Sequence, residues 1–188
     1  MTAPDYTLTT DRLRLELLKP GDAEALWPFV SDPAVSELMS WEAHTSMEET
    51  VAFLAAVDVS FKAGRAVSWG IYLEGKIIGV FSVISIHRKH RLLTYDKAEL
   101  AYWIGPEYQG KGYMTEAGGK VLDFAFRKLG LHKIYVGFHE GNKGSKGLIE
   151  RLKFRYSHTE KEAFSKNNQW VDVPYYEMLE KEYFELYK

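Results

Sequence analysis

The amino-acid sequence predicts an α/β fold: one mixed, mostly antiparallel, twisted sheet of about seven strands with helices on both faces. Three observations point there. Seven runs read as strands, and hairpin pairs of strands alternate with strand-helix-strand crossovers. The 188 residues, 46% hydrophobic and 27% charged, suffice for one well-buried core but not for two ordinary domains. No repeat, low-complexity tract or linker divides the chain, so a single domain over residues 1–188 is expected.

The elements follow in order. "RLRLELL" (12–18) alternates apolar and polar side chains with period two, as a half-buried strand does. After Pro20-Gly21-Asp22 the spacing of Ala23, Leu26, Trp27 and Val30 predicts a helix that stops near Asp32-Pro33. "HTSMEETVAFLAAVDVSFKAG" (44–64) offers hydroxyl caps, Glu48 and Glu49 in the first turn, helical apolar spacing and Gly64 as a stop. Residues 66–86 hold two β-rich runs around Glu74-Gly75, a hairpin. "HRKHRLLTYD" (87–96) reads as a polar, basic, solvated connection, and "KAELAYWI" (97–104) as the next strand. A helix from about Tyr113 to Leu129, a strand over 132–140 and a short helix over 142–154 follow. Two final strands, 155–164 and 169–179, flank Asn167-Asn168. The crossover after residue 104 should set two parallel strands side by side, with any ligand at their carboxyl ends.

Composition narrows the function. A net charge of -2 gives no basic footprint for massed phosphate contacts, so nucleic acid is not an expected partner. Without cysteine there is no disulfide, no thiolate metal site and no covalent thioester route through the chain. The first residues lack a basic region leading into an apolar core, and no apolar run approaches the length of a membrane span. A cytoplasmic protein with no membrane partner, monomer or homodimer, is expected.

The most informative stretch is "WIGPEYQGKGYMTEAGG" (103–119). A strand breaks at Gly105-Pro106 and a helix restarts beyond Gly112, where the first helical N–H groups have no partner of their own. Gly110 and Gly112 let the backbone approach an anion, the helix dipole favours it, and Lys111 adds a cation. The run from Gly105 to Gly112 nearly spells the nucleotide-binding pattern G-x-x-x-x-G-K-[ST]. Gly112 stands where a magnesium-binding hydroxyl is required, so a phosphotransferase is the weaker alternative. Gly118 and Gly119 are unusual inside a helix, and close helix-sheet packing would explain them.

This stretch resembles motif A of the GNAT superfamily of N-acetyltransferases, whose signature is Q/R-x-x-G-x-G/A. Gln109, Gly112 and Met114 fall on its three defined positions, Met114 where a small residue is usual. With "RLRLELL", "EGNKGSKGLIERLKF" and "NNQWVDVPYYEML", the likeness to the RimJ/RimL-type branch spans nearly the whole chain. It implies a GNAT-like sheet and transfer of an acetyl group from acetyl-CoA to a primary amine, a protein N-terminus or a small molecule. Transfer would be direct, in a ternary complex and without metal. A non-catalytic CoA-binding module is the alternative from another class.

The resemblance also assigns residues. Backbone amides over Gln109, Gly110, Lys111, Gly112, Tyr113, Met114 and Thr115 would bind the cofactor's pyrophosphate, Thr115 adding its hydroxyl. The backbone at Trp103 and Ile104 would bind the pantetheine arm. "NKGS" (142–145) matches the family's N-x-x-S, so Asn142 would contact CoA and Ser145 would protonate the thiolate or hold the sulfur. Capping a helix would equally explain both residues. Glu99 is the candidate base, acting directly or through water; an ordinary solvent-facing strand carboxylate is the alternative. An α-amino group near pKa 8 costs roughly 1 kcal/mol to deprotonate at pH 7, against about 4 to 5 for a lysine. Ile149 occupies the position of the family's tyrosine acid, which excludes that proton donor here. Lys153 stands where a glycine is usual, and Ser157-His158 where the branch commonly has Glu-Gly.

Acceptor contacts are read from a loop that the family places against substrate. Trp41, Glu42 and His44 lie there, and a packed surface loop is the competing explanation. Asp172, Tyr175 and Tyr176 on the last strand are further candidates. His139 and His158 are read as structural or solvated, and the histidines and carboxylates show no metal-ligand spacing.

Overall fold

The computed structural model describes residues 5–187. Eight strands form one sheet, in the order β1-β2-β3-β4-β5-β6-β8-β7. They are β1 (Leu8–Thr9), β2 (Leu13–Leu17), β3 (Val67–Leu73), β4 (Lys76–His90), β5 (Leu93–Ile104), β6 (Lys133–Gly137), β7 (Arg155–Lys166) and β8 (Gln169–Leu179). Only β5 and β6 run parallel; every other neighbouring pair is antiparallel. The eighth strand, β1, is two residues long, too short for an alternation to register in the sequence.

Helices cover both faces. α1 (Ala23–Val30), α2 (Pro33–Ser36) and α3 (Met47–Lys62) precede the β3–β4 hairpin. α4 (Tyr113–Asp123) runs on into a π-turn at Phe124–Lys128, α5 (Lys143–Arg151) precedes β7, and α6 (Glu180–Leu186) follows β8. The larger core cluster joins Phe81, Val83, Ala98 and Leu100 of the sheet to Ala117, Val121, Leu148, Ile149 and Tyr183 of the helices. A smaller one seats Leu26, Val30 and Leu54 of α1 and α3 on Ile77 and Val80 of β4. No helix among the described residues is long and apolar enough to cross a membrane.

One sequence expectation needs correction, and two short helices went unread. Residues 87–96 are not a loop: β4 extends to His90 and β5 starts at Leu93, with His87 opposite Lys97 and Lys89 opposite Thr94. This end of the hairpin projects beyond the core, with Leu92 and Leu93 exposed; without a buried face it shows no apolar alternation. α2 is a single turn started by Asp32, whose side chain accepts from Ala34 N, and by Pro33. α6 follows β8 without a break, and Tyr183 anchors it by stacking on Phe126 at 4.8 Å.

Candidate active site

The sheet forks at Glu99. The parallel pairing of β5 with β6 comprises Lys97–Lys133, Ala98–Ile134 and Glu99–Tyr135, and goes no further. Beyond it β5 continues to Ile104 paired only with β4, and β6 continues to Gly137 paired with β8. The edge of β5 facing the gap therefore has main-chain groups with no strand opposite them. A cleft of about 1370 Å³ opens there, lined by Glu99 to Ile104, the following loop, the first turns of α4 and α5, residues after α2, and part of β7 and β8.

At one end of the cleft lies an amide cradle. After a 3₁₀ turn over Pro106–Tyr108, Gly110 (φ +72°) and Gly112 (φ +81°) take left-handed backbone that other residues adopt only with strain. Gly112 is the N-cap of α4, and the first helical bond runs from Glu116 N to Gly112 O at 3.1 Å. The N–H groups of Tyr113, Met114 and Thr115 thus have no acceptor within the helix. A Cβ at Gly110 would meet nothing within 4 Å, so the cradle is open on its ligand side. This arrangement fits a diphosphate held by main-chain N–H groups at a helix N-terminus. Gln109, Gly110, Gly112, Tyr113, Met114 and Thr115 all line the cleft; Lys111 turns away, its Nζ 5.7 Å from the centre of the Tyr108 ring. Met114 also packs on the main core.

The cradle is braced from the turn between β1 and β2, which sequence reading missed because the bracing residues lie about a hundred positions away. Arg12 donates from Nη1 to Lys111 O (3.1 Å) and from Nε to Glu116 Oε2 (2.7 Å), and its guanidinium covers the Tyr113 ring at 4.6 Å. The Arg12 N–H and the Thr10 hydroxyl donate to the other Glu116 oxygen. Desolvation pushes the Glu116 pKa up, but the hydrogen bonds from Thr10 and Arg12 outweigh it and hold the carboxyl below its ordinary range. Arg151 Nε donates to Thr115 Oγ1 (3.1 Å), tying the end of α5 to the start of α4.

Glu99 sits where the two strands part, half-buried on the β5 face that carries Ala101 and Trp103. Burial raises its pKa above the ordinary carboxylate value, and no hydrogen bond or ion pair to it is formed among the described residues. The neighbouring phenols of Tyr135 and Tyr175 are also raised, first by burial and then by the Glu99 charge.

Across the gap, Asn142 caps α5: its Oδ1 accepts from Ser145 N at 2.9 Å, which leaves the amide NH₂ free to donate. Ser145 Oγ stands 2.7 Å from the Tyr102 hydroxyl. Burial pushes Tyr102 up to about 12, partly opposed by that hydrogen bond, so the phenol stays protonated. By sequence Tyr102 reads as an apolar-face residue, because it shares a strand face with Leu100 and Ile104; only its hydroxyl hinted otherwise. Ile149, at the position of the family's tyrosine acid, is buried in the main core.

The proposed acceptor contacts are not brought together. Trp41 packs against the α1–α3 cluster, 6.0 Å from the His44 ring; His44 Nδ1 lies 2.9 Å from Thr50 Oγ1 and its N–H donates to Val30 O. Tyr176 packs edge-on against Tyr156 at 5.6 Å and beside Phe138. None of the three lines the cleft. Asp172 is tied up by Lys161, and Glu42 is exposed. Tyr175 does line the cleft, with His158 stacked on it at 5.1 Å, and His139 lies on the rim.

Residues that the sequence reading passed over complete this half: Glu37, Leu38 and Met39 after α2, and Glu160, Ala163 and Phe164 on β7. The charged residues that line the cleft are Glu37, Glu99, Glu116 and Glu160, with Lys143 and Arg151 as cations; Glu116 is held by Arg12 and Thr10 at the start of α4. No cluster of three or more histidine, aspartate or glutamate side chains that could hold a metal occurs among the described residues.

Comparison with known proteins agrees with this geometry. The family model described as "Acetyltransferase (GNAT) domain" matches residues 12–155. The [Ribosomal protein uS5]-alanine N-acetyltransferase of Escherichia coli is 30% identical over 176 residues, covering 90% of this chain and 86% of that protein. The crystal structure of ribosomal-protein-S5-alanine acetyltransferase from Vibrio fischeri superposes with a TM-score of 0.83 at 22% identity, covering 94% of this chain and 97% of the other. Spermidine N-acetyltransferase from Vibrio cholerae, solved with CoA and spermine, gives 0.80 at 24% identity, covering 93% and 99%. The chain therefore belongs to the GNAT acetyltransferase family and is an acetyl-CoA-dependent N-acetyltransferase.

Proposed function

We propose that the chain acetylates a cationic primary amine by direct transfer in a ternary complex, the amine entering over Glu37, Glu99 and Glu160. Acetyl-CoA supplies an activated acetyl thioester and a diphosphate by which it can be gripped. The amides from Gly110 to Thr115 hold that diphosphate, with Gln109 at the rim, and the unpaired edge of β5 at Trp103 and Ile104 receives the arm as an added strand. Asn142 donates its free amide protons to the same arm. Glu99, raised by burial, takes the proton of the incoming ammonium directly or through a water. The nitrogen forms the new C–N bond as the C–S bond breaks; Ser145 gives its proton to the departing sulfur and takes up in exchange the second proton that the nitrogen sheds.

Tyr102 fixes the direction of that donation. A phenol is a stronger acid than an alkyl alcohol and the weaker acceptor, so Tyr102 donates to Ser145 Oγ and turns the serine proton toward the cleft. The acceptor is an amine that arrives charged. The relatives named above act on an alanine of ribosomal protein uS5 and on spermidine, and the Glu37, Glu99 and Glu160 carboxylates of the cleft lining suit either. Consumption of acetyl-CoA by a chain without cysteine suits the cytoplasm.

The observation that carries this reading is a single cleft, opened by the fork in the sheet, that holds both a half-buried carboxylate with no donor and an amide cradle. It is tested by CoA-thiol release with acetyl-CoA and a panel of amines: peptides beginning with alanine or serine, spermidine and an amino sugar. Turnover of at least one amine is expected. A CoA-binding module without activity would bind acetyl-CoA tightly and release thiol with none.

A further inference from the structure

One part of the cleft lining is made of two pieces far apart in the chain. Val35 and Glu37 to Ser40 come from α2 and the segment after it; Glu160, Ala163 and Phe164 come from β7. One side chain joins them. Lys166, the last residue of β7, has a side chain only 6% exposed, and its Nζ donates to Ser36 O (2.6 Å), Met39 O (2.8 Å) and Trp41 O (3.0 Å). An ammonium has three protons, and each here ends on a main-chain carbonyl. The exposed Glu42 carboxylate, 3.8 Å away, adds a distant countercharge.

The arrangement has a local cause. Residues 37–46 form neither strand nor helix, so the Met39 and Trp41 carbonyls have no ladder partners and need a donor from elsewhere; Ser36 O, at the end of α2, already accepts from Met39 N at 2.9 Å and takes the ammonium as a second donor. The donor is aimed by the β7–β8 turn. Asn167 (φ +50°) and Asn168 (φ +59°) form the two-residue connection that pairs Lys166 with Gln169. A slip of one residue in that register would turn Lys166 to the other face of the sheet.

We infer that Lys166 is a positioning residue for the amine acceptor: it staples the segment after α2 to β7 and so fixes the wall across which the amine binds. It contacts neither the amide cradle nor Glu99, so the acetyl-CoA end of the cleft does not depend on it. This assignment rests on the reading that the amine enters along this wall. In Lys166→Met a chain of similar length fills the space but offers no proton; Met39 and Trp41 must turn their carbonyls to water, and Ser36 O keeps only the Met39 N–H.

Hydrogen exchange of the wild-type chain and Lys166→Met, with α4 as internal reference and acetyl-CoA calorimetry as the check on folding, tests the staple. Exchange over residues 33–41 should rise about tenfold, with α4 unchanged and acetyl-CoA affinity kept within about twofold. With an alanyl peptide and spermidine as acceptors, KM for the acceptor should rise about tenfold while kcat and KM for acetyl-CoA hold, and Lys166→Arg should recover part of the loss. Unchanged exchange over 33–41, or a rise in KM for acetyl-CoA equal to that for the acceptor, would overturn the assignment. If neither amine is turned over by the wild-type chain while exchange behaves as expected, the staple stands and its role in binding these acceptors falls.

Discussion

The Tyr102 hydroxyl and Ser145 Oγ, 2.7 Å apart, join β5 to the first turn of α5 across the gap where the parallel strands have separated. The pair acts as a unit, so its members should not contribute additively. Ser145→Ala is expected to lower kcat about a hundredfold and Tyr102→Phe about tenfold, with acetyl-CoA affinity little changed in either. The double variant should be no slower than Ser145→Ala, because without the serine proton its direction no longer matters. Steady-state kinetics of the three variants checks this; additive losses would show that the two hydroxyls act separately.

How much of this was legible beforehand depended on whether the cause was local. The amide cradle was legible because glycines at 110 and 112 and a helix start beside them are facts of adjacent residues. Glu99 stood out as a carboxylate on a strand leading into that loop. The fork was not legible, since it depends on where the pairing of β5 and β6 stops. Arg12 and Lys166 act across roughly a hundred residues or more, Arg12 on the Lys111 carbonyl and the Glu116 carboxylate and Lys166 on three backbone carbonyls, and backbone targets leave no mark in a sequence. Trp41 and His44 show the opposite case: aromatic and imidazole groups in a loop read as a binding set, and the structure packs them on Val30, Thr50 and the α1–α3 cluster, outside the cleft lining.

Arg12 should matter to acetyl-CoA and not to the amine. Removing it frees the Lys111 carbonyl and leaves Glu116 without its cation beside the proposed diphosphate site. Arg12→Ala is expected to raise KM for acetyl-CoA about tenfold, with acceptor KM unchanged. Adding Glu116→Gln should recover part of the loss by removing the stranded negative charge. Initial rates over a matrix of both substrates would separate the two constants.

The two adjacent glycines of α4 should behave oppositely. A Cβ at Gly118 would lie 2.8 Å from Leu152 Cδ1 and 3.2 Å from Phe81 Cε2, whereas one at Gly119 would meet nothing within 4 Å. Close packing therefore accounts for Gly118 alone. Gly118→Ala should destabilise the fold by about 1–3 kcal/mol through overpacking. Gly119→Ala should stabilise it by about 0.5–1 kcal/mol through helix propensity. Urea melts of the two variants give the comparison.

Burial of Glu99 has a consequence for stability, separate from its role in transfer. Its folded pKa is raised above the unfolded value, so between the two the folded state holds more protons and stability falls as pH rises. The charged form at neutral pH is thus a local cost of the site. Glu99→Gln should melt at a higher temperature than the wild-type chain at pH 7, and the difference should shrink as pH drops below the ordinary glutamate value. Thermal melts across that range would show it; a variant less stable at pH 7 would mean that Glu99 makes favourable contacts when ionised.

The pH dependence of acetyl transfer by the wild-type chain and Glu99→Gln tests the central claim most directly, using an amine found in the thiol-release panel. The wild-type rate should climb with pH through an apparent pKa above the ordinary carboxylate range. The variant should bind acetyl-CoA normally, lose about a hundredfold in kcat at neutral pH and recover as the free amine becomes abundant. A variant with undiminished kcat and an unaltered profile would contradict the account, because the carboxylate at the fork would then take no part in moving the proton.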